Sequence, residues 1–205
     1  MRLYDYPHSG NGYKARLLFS LLGRRYEYVP VDILKGETRT AEFLLKNPNG
    51  RIPVLETDDG TFLAESNAIL HFLAQGTRYW PDAPLAQAQV LQWMFFEQYS
   101  HEPNIATPRF WLTLQKPEPS AFQQELLLQK QAQGRAALGV MERHLSQHDY
   151  FAGGRCSIAD IALYGYTHVA DEGGFDLKPY GAVCRWLDRI RSEPGHVTMD
   201  QWKAG

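Results

Sequence analysis

Cysteine is scarce in this chain: Cys156 and Cys184 are the only two among 205 residues, and they form no C-x-x-C pair. That excludes a disulfide scaffold, a zinc ribbon and a thioredoxin-type dithiol, and it points to a reducing, cytoplasmic setting. Long apolar runs are missing too. Nothing approaches the length of a membrane span, and Met1-Arg2-Leu3-Tyr4 runs into a strand pattern without the segments of a secretion signal. Nor is there an excess of one charge. A formal net charge of -2 argues against a nucleic-acid surface. No internal repeat or low-complexity tract is visible, and the glutamine-rich stretch 123–133 reads as a solvated helix face. What remains is 44% hydrophobic and 21% charged residues, ordinary for a soluble protein. The length permits one large domain or two small ones, with a conventional core that needs no metal. A small-molecule partner is expected.

Hydrophobic periodicity divides the chain. Residues 3–6 read as a strand and 13–23 as an amphipathic helix stopping at Gly23. Residues 26–31 read as a second strand, placed at a sheet edge by Pro30. A short helix is expected at 40–46, then a hairpin of 53–56 and 61–63 around Asp58-Asp59-Gly60, then a helix at 66–75. The order β-α-β-α-β-β-α over residues 1–76 is the thioredoxin-like layout. Residues 77–85 break the periodicity and read as a linker. From 86 to 205 only helices are predicted: 86–114, kinked or split by Pro103 and Pro108, then 120–145, 157–170 and 180–192. A turn is expected at Pro117-Glu118-Pro119. The fold class is therefore α/β followed by an all-helical bundle.

Two segments of the first half carry chemistry. In Asn47-Pro48-Asn49-Gly50-Arg51-Ile52-Pro53-Val54-Leu55, proline removes a ladder donor at the mouth of a strand. A cis Ile52-Pro53 bond would leave the Ile52 backbone to pair with an extended peptide. In Glu65-Ser66-Asn67-Ala68-Ile69, a helix begins whose free N–H groups and positive dipole end can hold a carboxylate. These motifs together resemble the glutathione-binding half of glutathione S-transferases. Phe151-Ala152-Gly153-Gly154-Arg155-Cys156-Ser157-Ile158-Ala159-Asp160-Ile161-Ala162 resembles the same family, and its role reads as structural: Ser157 caps a helix and Asp160 reaches back to it. The resemblance covers nearly the whole chain, most strongly 1–75 and 150–170.

The resemblance implies glutathione as cosubstrate, no metal, and a homodimer. Ile52 and Pro53 would clamp the cysteinyl part, Glu65 would meet the ammonium, and Ser66 the γ-glutamyl carboxylate. Lys35 stands where the glycine carboxylate would lie. The family keeps its thiol-activating residue between the first strand and first helix, here Tyr6-Pro7-His8-Ser9-Gly10-Asn11-Gly12-Tyr13-Lys14. Ser9 is the first choice and Asn11 the second. Ser9 can equally be a plain helix cap and Asn11 a turn residue. A free thiol near pKa 8.5 is mostly protonated at neutral pH, and a charge-assisted hydrogen bond to the thiolate is worth roughly 1.5–3 kcal/mol. At about 1.4 kcal/mol per unit, one donor at a helix start suffices to make thiolate the main species. Ser9 fits serine-type transferases that attack small electrophiles. A hydroxyl followed two residues later by asparagine resembles the nu-class and related fungal prion-like members, which act on disulfides. Gly10 stands where beta-class enzymes carry cysteine, so a mixed disulfide with the protein is not expected. A non-catalytic regulatory or ligand-holding member is the third reading. For the electrophile pocket the resemblance implies Tyr6 with Tyr99, Ile105, Arg109 and Phe110.

Overall fold

The computed structural model describes residues 1–115 and 120–201; the expected turn at 117–119 and the last four residues of the expected helical domain lie outside the described residues. The chain packs as two compact units. One is Met1–Thr77 together with the described residues from Glu193 onward, the other Arg78–Ser192.

The first unit is a four-stranded sheet in the order β2-β1-β3-β4, built from β1 (Arg2–Asp5), β2 (Glu27–Pro30), β3 (Val54–Glu56) and β4 (Phe62–Ala64). β1 pairs parallel with β2 and antiparallel with β3, so Leu3 faces Tyr28 on one side and Leu55 on the other. Pro30 ends β2 at the sheet edge, where its missing N–H costs no ladder bond. The connection from β1 to β2 is α1 (Gly10–Leu21), which begins three residues earlier than its periodicity suggests. The reason is Ser9, whose Oγ accepts from the Gly12 N–H at 3.2 Å and caps the helix ahead of two glycines. Short 3₁₀ turns at Ile33–Lys35 and Glu37–Arg39 lead into α2 (Ala41–Lys46), capped by Thr40. After β4 comes α3 (Ser66–Ala74). Val31, Phe43 and Val54 form a buried cluster against which Tyr4 and Ile52 pack.

The tail from Glu193, expected with the helical half, folds onto α1 instead. Tyr13 Oη donates to Val197 O at 2.7 Å, Arg16 Nη1 to Met199 O at 2.7 Å and Ser20 Oγ to Gly195 O at 2.7 Å.

The second unit is helical: α4 (Pro84–Phe96), α5 (Glu102–Arg109), α6 (Ala121–Leu145), α7 (Ile158–Thr167) and α8 (Gly181–Arg191). Pro103 and Pro108, expected to kink or split 86–114, leave the helical path continuous but interrupt its α-helical hydrogen bonding. Pro103 lacks the N–H that would close the α-turn ahead of it, and Glu97–His101 there widens into a π-turn, with a second π-turn at Phe110–Leu114 after Pro108. α6 starts at a capping box between Ser120 and Gln123. Ahead of α7, the Ser157 N–H and Oγ both donate to Asp160 Oδ2 at 2.9 Å, while Asp160 Oδ1 accepts from Phe151 N at 3.1 Å and Trp186 Nε1 at 3.0 Å. Asp160 thus ties the turn before α7 to α8. Burial pushes its carboxyl up to about 6 against the pull of those four donors.

Candidate active site

Three loops of the first unit build the site. The loop 47–53 is shaped by buried Asn47, whose Nδ2 donates to Arg51 O at 2.8 Å and whose Oδ1 accepts from Asn49 N at 3.0 Å. It delivers the chain to the mouth of β3, where the Ile52-Pro53 peptide is cis. Ile52 lies ahead of the ladder, whose first pairs are Tyr4 with Val54 and Val54 with Ala64. In the second loop, exposed Glu65 has φ 69°, the one positive value at a non-glycine among the described residues. It serves as N-cap of α3 without a side-chain cap bond, and Ser66, 5% exposed, follows.

The third loop, between β1 and α1, is held from beneath. Arg16 Nη2 donates to Pro7 O at 2.7 Å, Arg16 Nε lies 3.1 Å from Asp5 Oδ2, and Ser9 N donates to Tyr6 O at 2.9 Å. Gly12 is obligatory there: a Cβ at this position would stand 1.6 Å from Asp5 Oδ1. Complete burial raises the Asp5 carboxyl to about 7, with the Arg16 guanidinium pulling the other way.

At the start of α1, half-buried Asn11 meets α3. Asn11 Oδ1 accepts from Lys14 Nζ at 2.7 Å and from Ser66 Oγ at 3.3 Å. Lys14 Nζ also lies 3.5 Å from Ser66 Oγ, and Lys14 has no exposed surface. The fold therefore gathers Ser9, Asn11, Lys14 and Ser66 at two helix N-termini, a positive-potential corner suited to anions.

Sequence comparison matches this architecture in two pieces: residues 1–75 fit the glutathione S-transferase N-terminal domain and residues 103–194 its C-terminal domain. A crystal structure of glutathione S-transferase from Pseudomonas fluorescens is 54% identical, with a TM-score of 0.93 over 97% of this chain and 98% of that one. The chain belongs to the glutathione S-transferase family. Ure2p in complex with glutathione superposes with a TM-score of 0.84 at 25% identity, over 95% of this chain and 90% of that chain. Elongation factor 1-gamma-B of Xenopus laevis is 31% identical over 94% of this chain; the match spans 44% of that relative, less than half its length.

The remaining expected residues fall as follows. Lys35 is 76% exposed and pairs with Asp32 at 3.1 Å, within its own 3₁₀ turn. Tyr6 packs edge-on to His8. In the second unit, Tyr99 is 86% exposed and lines a cavity of 480 Å³ with Phe96, Ser100, Asn104 and Lys130. Ile105 is wholly buried and Arg109 nearly so, its Nε donating to Glu172 at 2.7 Å. Both pack within the helical unit. Phe110 is half-buried on the second π-turn. The sequence reading passed over Lys14, because a lysine on an amphipathic helix reads as solvent-facing; its one signal was the i, i+3 spacing from Asn11. Among the described residues no three His, Cys, Asp or Glu side chains gather to hold a metal, and no helix is long and apolar enough to cross a membrane.

Proposed function

We propose that the protein is a glutathione transferase, which binds glutathione across β3 and the start of α3 and activates its thiol at the start of α1. The observation that carries this reading is the meeting of Asn11 and Ser66, next to Ser9 that caps α1, at two converging helix starts. Ile52 offers its backbone to the cysteinyl part, Ser66 its helix end to the γ-glutamyl carboxylate, Glu65 its charge to the ammonium, and Lys35 a cation for the glycine carboxylate. The thiolate, stabilised by a donor at the start of α1, displaces a leaving group from a small electrophile: the sulfur–carbon bond forms as the leaving group departs with its electron pair. Tyr6, Tyr99 and Phe110 are the candidates for contact with that electrophile. Catalysis in a cytoplasmic homodimer accords with the family.

A second reading, glutathione-dependent disulfide reduction, is favoured by Asn11, since an asparagine two residues after a hydroxyl resembles the disulfide-acting members. There the thiolate attacks a disulfide sulfur, one thiolate leaves, and a second glutathione completes the reduction as glutathione disulfide.

A paired kinetic assay separates these, with glutathione and an aryl halide in one arm and glutathione and a small organic disulfide in the other. Turnover in the first arm is expected. Turnover in the second alone favours the reductase, and turnover in neither, with glutathione still bound, makes the protein a non-catalytic ligand-holding member.

A further inference from the structure

The buried lysine at the candidate site has a defined chemical consequence. An ammonium group has three donors and no acceptor, so the Asn11 atom 2.7 Å from Lys14 Nζ must be the carbonyl oxygen. The Ser66 hydroxyl contacts the same oxygen at 3.3 Å. With Oδ1 held on one side by two groups, the Asn11 Nδ2 end is turned to the other. Asn11 is half-buried, whereas Lys14 beneath it has no exposed surface. An asparagine that could flip would present its oxygen to an anionic sulfur half the time and repel it.

We propose that Lys14 is a positioning residue: it fixes the Asn11 amide so that Nδ2 donates to the thiolate of bound glutathione. This rests on the glutathione reading above and adds a residue to it. It also assigns the thiolate donor to Asn11, with Ser9 capping α1. Ser66 joins the thiolate donor to the carboxylate end of the ligand, so one buried cation serves both ends of glutathione without touching substrate itself.

The test is a double-mutant cycle read by ultraviolet titration of the glutathione thiolate on the protein, using Lys14→Met, Asn11→Ala and the pair. Each single change is expected to raise the thiolate pKa by about one unit, a loss of roughly threefold to fivefold in thiolate at neutral pH. The double variant should show no more than the larger single effect, because Lys14 acts through Asn11. Effects that add, or a thiolate pKa untouched in Lys14→Met, overturn the proposal. Should Lys14→Met fail to fold, the Asn11 side-chain amide resonance of the unaltered protein, assigned by its loss in Asn11→Ala, is followed as glutathione is added. A downfield shift of its protons supports donation to sulfur, and an unmoved resonance refutes it. Unaltered protein that binds no glutathione in calorimetry refutes both the glutathione reading and the role of Lys14. Binding with additive effects refutes Lys14 alone.

Discussion

Glu65 shows how one residue sets stability against function. Holding a non-glycine residue at φ 69° costs of order 1–3 kcal/mol, and this glutamate makes no cap bond to offset it. Glutathione recognition, where the carboxylate would meet the ammonium, gives a reason for keeping it. Glu65→Gly removes the strain while adding about 0.5–1 kcal/mol of unfolded-chain entropy, so denaturant unfolding should show a variant more stable by about 1 kcal/mol. Losing a charge-assisted contact of roughly 1.5–3 kcal/mol should weaken glutathione by about tenfold or more in calorimetry. Opposite movements of stability and affinity are the expected signature; a less stable variant with undiminished affinity reverses the assignment. The cis Ile52-Pro53 bond and the helix start at Ser66 were legible in the sequence because each leaves a local mark: a proline at a strand mouth, or a polar pair opening a helix. Lys14 was not, since its burial is a property of the packed helix and leaves no mark on the residue type.

At the scale of elements, the caps were readable and the bends were not. Ser9 and Ser120 accept from helix-start N–H groups, and at Ser157 the N–H and hydroxyl both donate to Asp160, each a local device with a local signature. The π-turns at Glu97–His101 and Phe110–Leu114 follow from how the chain accommodates Pro103 and Pro108, and the sequence showed the prolines without the response. The tail on α1 was silent for a different reason: Tyr13, Arg16 and Ser20 all bond to backbone carbonyls of residues 195–199, and a carbonyl has no sequence signature. Asp160 gives the sharpest test of a cap. Its carboxylate accepts from four donors, so Asp160→Asn, which fills the same space, turns an amide nitrogen toward two of them. At about 1–3 kcal/mol for each donor left unmatched, the variant should lose roughly 2–6 kcal/mol in denaturant unfolding. A loss under 1 kcal/mol means that Asp160 is already neutral in the folded state.

Over the whole molecule, two buried carboxyls, one in each unit, give the fold a pH dependence opposite to that of ordinary acid unfolding. Burial raises Asp5 to about 7 and Asp160 to about 6 from the usual 3.8. A folded-state value above the unfolded one means that the folded protein holds more protons across the intervening range. Stability from these groups is fully present below about pH 4 and is lost as pH rises through 6 and then 7. His144 works against this: burial holds it below its usual 6.5, so it takes up a proton on unfolding in mildly acid solution. The exposed acids Asp32, paired with Lys35, and Asp59, hydrogen-bonded by Thr57 and Thr61, contribute little, because their shifts belong to exposed groups. Near pH 5, two carboxyls releasing protons outweigh one imidazole taking one up, so unfolding should release about one to two protons. Calorimetric unfolding at pH 5 in buffers of different ionisation enthalpy measures that number directly. Net uptake would mean that the ion pair with Arg16 and the four donors on Asp160 hold both carboxylates ionised, and that burial is the weaker influence at both sites.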